Sequence, residues 1–158
     1  MDEASQERFD RLREAHFPPE RNYLSAHLTL FHHLPGDREG EVVEEIREAC
    51  GRQQPITLRA AGLLFMGRGV AYKLEAPELV GLRRRLAKAW EPFLTNQDRQ
   101  GLRPHVTVQN KVSPEKARAL HRELEGSFSP FEIRGEGLLL WRYLGGPWEP
   151  VGEYPFGG

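Results

Sequence analysis

The chain has 158 residues, 39% hydrophobic and 28% charged, with a formal net charge of −1. That balance suits one folded domain with a real core and excludes both a disordered chain and a nucleic-acid binder working through its overall field. Cys50 is the only cysteine, which excludes an internal disulfide and a multi-cysteine zinc site and suits a reducing cytoplasm. No apolar run approaches the roughly eighteen residues of a membrane span, and the charged opening MDEASQERFDRLREAH holds no signal-peptide core.

In chain order, residues 4–16 predict a helix, with Phe9, Leu12 and Ala15 at helical spacing and FPPE ending the pattern. YLSAHLTLFHHL, 23–34, alternates as a strand would and is closed by PGD. REGEVVEEIREAC, 38–50, predicts an amphipathic helix with Val42, Val43, Ile46 and Cys50 on one side and Gly51 as its stop. ITLRAAGLLFMG and GVAYKLEA predict two strands joined near Arg68–Gly69, and Pro77 opens a long helix over 77–94.

The order then repeats. RPHVTVQNKV predicts a strand, and SPEKARALHRELEG a helix with Ser113 as N-cap and Pro114 at its first position. FEIRGEGLLLWRYL and EPVGEYPF predict closing strands around GGPW. ITLRAAGLLF and FEIRGEGLLL match closely, each one helix after a strand bearing His-x-Thr. The sequence therefore predicts one α+β domain over 1–158, built by internal duplication. Its two pseudo-symmetric lobes, roughly 17–76 and 95–158, are joined by helix 77–94.

The repeated motif carries the chemistry. Alternation puts His27 and Thr29 on one face of their strand, and His105 and Thr107 on one face of theirs. Across a pseudo-twofold, the four groups can converge. One neutral imidazole then takes a proton from water, one imidazolium gives a proton to a leaving oxygen, and two hydroxyls donate to the non-bridging oxygens of a phosphate. In-line displacement at phosphorus needs base and acid on opposite sides, which a twofold supplies without a metal. His105 is taken as base and His27 as acid, although the near-symmetry of the motifs does not order them.

HLTL and HVTV, in this order and spacing, resemble the two-histidine (2H) phosphoesterase superfamily, in particular its 2′-5′ RNA ligase-like branch. LRPHVTVQNKV and the ending LLLWRYLGGPWEPVGEYPF resemble it too, so the likeness runs from about Phe17 to Phe156. The resemblance implies a bilobal fold of antiparallel sheet with helices outside and a central cleft. It implies hydrolysis of 2′,3′-cyclic phosphate or 2′-5′ phosphodiester bonds at RNA ends or in nucleotides, with 2′-5′ ligation as the reverse. It maps the family's histidines onto His27 and His105 and its hydroxyls onto Thr29 and Thr107. A non-catalytic RNA- or nucleotide-binding module with the same cleft is the alternative.

Further along the strand faces, Phe31 suits base stacking and Lys111 a phosphate. Tyr72 and Trp141 lie in hairpin strands that face either cleft or core, and Arg103 stands close to the second motif. His27, His32 and His33 do not make a metal site: His32 and His33 are adjacent and point apart, and His27 and His33 would lie about 20 Å apart along a strand. No cofactor is expected, no membrane partner, and a monomer.

Overall fold

The computed structural model describes residues 1–157. Five α-helices and six strands are numbered here in chain order: α1 (Glu3–His16), α2 (Glu39–Gly51), β1 (Ile56–Phe65), β2 (Val70–Glu75), α3 (Pro77–Trp90), α4 (Asn96–Arg99), β3 (His105–Gln109), α5 (Pro114–Ser127), β4 (Phe131–Gly135), β5 (Gly137–Tyr143) and β6 (Trp148–Pro155). The predicted helices fall where their caps and periodicity put them, except that the helix expected over 77–94 ends at Trp90. Ser113 accepts from the Lys116 amide and Pro114 opens α5. Asp2 caps α1 by accepting from the Ser5 amide. The four-residue α4, capped by Thr95, was too short to leave a periodic signal.

The protein is α+β, with a four-stranded sheet of order β3-β2-β1-β4 and a separate β5-β6 hairpin. The pairings β1·β2, β2·β3 and β5·β6 are antiparallel. Two compact units emerge, and neither is a continuous half of the chain: one takes residues 1–30, 57–76 and 103–134, the other 31–56, 77–102 and 135–158. The expected lobes, 17–76 and 95–158, are thus replaced by interleaved units. The physical reason lies in strand pairing. β2, from the first repeat, pairs with β3, from the second, with Tyr72 opposite Val106 and Lys73 opposite His105. The second repeat also divides where the first does not. ITLRAAGLLF makes one strand with an irregularity between Ala60 and Gly62, whereas FEIRGEGLLL breaks at Glu136 into β4 and β5, which join different sheets.

The first unit has its core between α1, α5 and the sheet. Phe9, Val70, Ala71, Val106 and Val108 are fully buried. The Phe9 ring meets Tyr72 edge-on at 5.4 Å and Phe131 at 5.9 Å. At the β1–β2 turn a Cβ on Gly69 would strike the Gln109 carbonyl, so glycine lets the turn pass close to the end of β3.

In the second unit, α2 and α3 bury Val42, Ile46, Leu82, Leu86 and Trp90. Arg142 of β5 holds both Glu39 of α2, at 2.7 Å, and Glu149 of β6, at 2.6 Å.

Candidate active site

The two His-x-Thr motifs lie in the same unit, not one in each. The second stands where the sequence put it. His105, Val106, Thr107, Val108 and Gln109 are β3; Val106 and Val108 are fully buried, and His105 and Thr107 lie half-buried on the opposite face. The first motif does not stand in a strand. Residues 23–34 form no helix or strand, a correction to the predicted 23–34 strand. The backbone of Ala26, His32 and His33 is held by side chains rather than by a ladder.

Helix α1 supplies those side chains. Gln6, Phe9, Asp10 and Arg13 share one face at i, i+3, i+4 and i+7. Phe9 is the apolar anchor. The Ala26 amide donates to Asp10 Oδ1 at 2.6 Å, and the Ala26 carbonyl accepts from Gln6 Nε2 at 2.9 Å. Both polar groups of the residue before His27 are therefore fixed by the same helix. Gln6 also reaches Asp10, at 3.1 Å, which ties the two clamps together. Arg13, 5% exposed, donates from Nε to Asn22 Oδ1 and from Nη1 to the Thr107 carbonyl, both at 3.0 Å. β3 is an edge strand, so a carbonyl on its open side needs such a partner.

Despite unlike supports, the two imidazoles are held alike. His27 Nδ1 lies 2.8 Å from the Ser25 carbonyl, and His105 Nδ1 lies 2.8 Å from the Arg103 carbonyl. In each case the partner is the carbonyl two residues earlier. A carbonyl only accepts, so Nδ1 carries the hydrogen in both rings. Nε2 is then the working nitrogen: an acceptor when the ring is neutral, a donor when it is charged.

Their surroundings differ. The His27 ring reaches solvent, yet enough protein stands around it that desolvation lowers its pKa below the ordinary value. The Ser25 carbonyl pulls the other way, and the charges of Arg13 and His105 lower the pKa further. His27 and His105 are thus close enough for a charge on one to disfavour a charge on the other. Arg13 is itself buried enough for its pKa to fall, with the Asp10 carboxylate opposing that.

The remaining sequence-predicted residues separate into two groups. Tyr72 is 5% exposed and packs against Phe9, Phe128 and Phe131. Phe31 belongs to the second unit, where its ring meets Trp90 edge-on at 5.1 Å and carries the Arg83 guanidinium at 4.4 Å. Both rings are engaged in packing: Tyr72 takes the core side of the two that the sequence left open, and Phe31 packs within the second unit. Arg103 and Lys111 are exposed. Lys111 does not continue the His105–Thr107 face: β3 ends at Gln109, and Lys111 turns away with φ of 60°. Trp141, 39% exposed, stands on β5 opposite Pro150.

His32 and His33 do not point to opposite sides of a strand. Their amides both donate to the buried Asp98 carboxylate, at 2.9 and 2.8 Å, and His32 Nδ1 lies 3.2 Å from the same group. Among the described residues no three His, Cys, Asp or Glu side chains gather as a metal site would need. None of the helices is long and apolar enough to cross a membrane, again among the described residues.

The sequence reading overlooked Gln6, Asp10, Arg13 and Asn22. The signal was present as a polar stripe at i, i+4 and i+7 beside Phe9, but a helix read by its apolar residues alone selects Leu12 and Ala15. Ala15 is exposed, whereas Arg13 is buried.

Comparison with known proteins gives the family and the fold. The model of the 2′-5′ RNA ligase superfamily matches residues 1–147. The chain belongs to that superfamily. Its fold is shared by TT0787 of Thermus thermophilus, at 15% identity and a TM-score of 0.67, covering 100% of this chain and 94% of that one. It is shared also by Escherichia coli LigT crystallised with 3′-AMP, at 19% identity and a TM-score of 0.59, covering 99% and 93%. A third structure, described as a phosphoesterase, is 19% identical with a TM-score of 0.52, covering 93% and 92%. The chain shares the fold of all three. No curated protein matches the chain.

Proposed function

We propose that the protein is a metal-independent phosphodiesterase that opens 2′,3′-cyclic phosphate or 2′-5′ phosphodiester bonds at RNA ends or in nucleotides. The observation that carries this reading is the matched pair of imidazoles, each with Nδ1–H on a carbonyl 2.8 Å away and each offering Nε2. Binding alone needs no such pair; proton transfer in two places does.

In hydrolysis, the neutral ring takes a proton from water at Nε2 as the water oxygen bonds to phosphorus. The phosphorus–oxygen bond to the sugar breaks, and that oxygen takes the Nε2 proton of the charged ring. The hydroxyls of Thr29 and Thr107 donate to the non-bridging oxygens. Desolvation and the charges of Arg13 and His105 disfavour the charged form of His27, which supports His27 as the base and leaves the acid role to His105. This reverses the order taken from the sequence, which the near-symmetry of the motifs had left open. Ligation through a 2′-5′ bond is the same path run backward, and water at its ordinary concentration favours hydrolysis.

The structural neighbour bound to 3′-AMP supports a nucleotide substrate, because a nucleoside 3′-phosphate is what opening the 2′ ester of a cyclic phosphate leaves. Arg103, exposed beside the second motif, is available to a phosphate. The single buried cysteine fits a reducing cytoplasm.

The test is incubation of the purified protein with 2′,3′-cyclic mononucleotides in EDTA, followed by chromatography for the monophosphate. We expect turnover that His27→Ala lowers by about 10²–10⁴-fold. Binding without turnover would instead establish the non-catalytic module, and turnover that only a divalent ion restores would refute the metal-free mechanism.

A further inference from the structure

We infer that Arg13, with Gln6 on the same helix face, is a positioning residue for the two-histidine site: α1 holds the first motif in place against β3 and keeps a fixed positive charge beside His27. The inference rests on the phosphodiesterase reading for its kinetic consequences, but not for its structural ones.

The geometry is specific. The first motif has no ladder to fix its register, and one helix face replaces that ladder. Gln6 and Asp10 take the carbonyl and amide of Ala26, and Arg13 takes Asn22 four residues earlier. The second nitrogen contact of Arg13 crosses to the Thr107 carbonyl in the other motif. Arg13 thus hydrogen-bonds both the chain leading into the first motif and the second motif itself. A purely structural arginine would be satisfied by the same contacts, so the charge is what distinguishes the roles.

Several charged groups bear on His27. From α1 come Arg13 and, behind it, Asp10; from β3 comes His105, itself opposite Lys73 of β2. Arg13 is the permanently charged member of the set, since a guanidinium stays protonated throughout the working range. It sits beside a base whose usefulness depends on being neutral. Lysine could keep the charge but not the two-way fork, and glutamine could keep polar contacts but not the charge.

The experiment uses the full chain with His27 assigned in its proton NMR titration. Arg13→Gln should move the His27 midpoint up toward the ordinary histidine value, and the acid limb of kcat/KM should move up with it. Arg13→Lys should return the midpoint toward wild type, a rescue that packing alone would not produce. Gln6→Ala changes no charge; it should leave the midpoint where it was and lower kcat by up to about 10²-fold, the scale of a displacement of about 1 Å. A folded Arg13→Gln with an unmoved His27 midpoint would overturn the inference. If Arg13→Gln does not fold, Gln6→Ala decides, and undiminished kcat overturns it. Absence of any turnover in the wild type would refute the phosphodiesterase reading instead, and the titration would still test where the charge lies.

Discussion

Residues 25–29 and 103–107 reach the same imidazole geometry by different means. In β3 the backbone is paired with β2, and burial of Val106 and Val108 fixes which face His105 and Thr107 occupy. Around His27 there is no ladder, and three polar side chains of α1 do the holding. Yet both Nδ1–carbonyl distances are 2.8 Å. The comparison teaches that the short-range bond to the residue two positions earlier defines the ring, while the long-range support can be a ladder or a helix face. It also explains an asymmetry of environment: side-chain support brings Arg13 and its charge beside His27.

The largest expected effect tests whether the two motifs are equal in chemistry. His27→Ala and His105→Ala should each lower turnover by about 10²–10⁴-fold, the usual worth of a positioned proton-transfer group. Steady-state assays of the double variant should show a loss far smaller than the product, because the pair acts as a unit. Full turnover in either single variant would refute two-histidine catalysis.

A smaller effect asks whether unlike supports give equal order. Thr29→Val and Thr107→Val each remove one hydrogen bond to a charged phosphate while keeping a β-branched shape. Each should cost about 1.5–3 kcal/mol of transition-state stabilisation, read from kcat/KM. We expect the two losses to agree. A Thr107→Val loss well above that of Thr29→Val would show that the helix-held segment is the looser partner.

The same contrast explains what was legible in the sequence. β3 was readable because a ladder strand obeys a period of two, and HVTVQ shows it. The helices were readable because α2, α3 and α5 bury apolar stripes and α5 carries its Ser113–Pro114 start. YLSAHLTLFHHL also alternates, but alternation reports which side chains are apolar and not what the backbone bonds to. At Ala26 the partners were Asp10 and Gln6, and at His32 and His33 the partner was Asp98, 66 and 65 residues away. Such polar contacts leave no periodic trace. The interleaved units were hidden for a related reason: two copies of a repeat look like two lobes until strand pairing joins β2 to β3. Glu136, inside a segment that matches the unbroken ITLRAAGLLF, gave no sign that the second copy would divide between sheets.

The smallest effect concerns the pH dependence of stability, where the first motif should behave as a site that resists charge. The folded state lowers the His27 pKa through desolvation first, then through the charges of Arg13 and His105. In the unfolded chain histidine titrates near 6.5. Between the two values the unfolded state binds more protons, so stability rises with pH across that window. The contribution of neutral His27 is therefore complete above about pH 6.5 and is lost as pH falls through the folded value. Urea unfolding midpoints of wild type and His27→Gln, measured at pH 8, 6.5 and 5, read this directly. The wild type should lose stability relative to the variant as pH falls, because glutamine has no proton to gain. Arg13→Gln in the same series should weaken the trend, since it removes one of the charges that make protonation costly. A difference between wild type and His27→Gln that stays constant from pH 8 to pH 5 would show that the environment of His27 does not oppose its charge, and would return the choice of base to the symmetry of the two motifs.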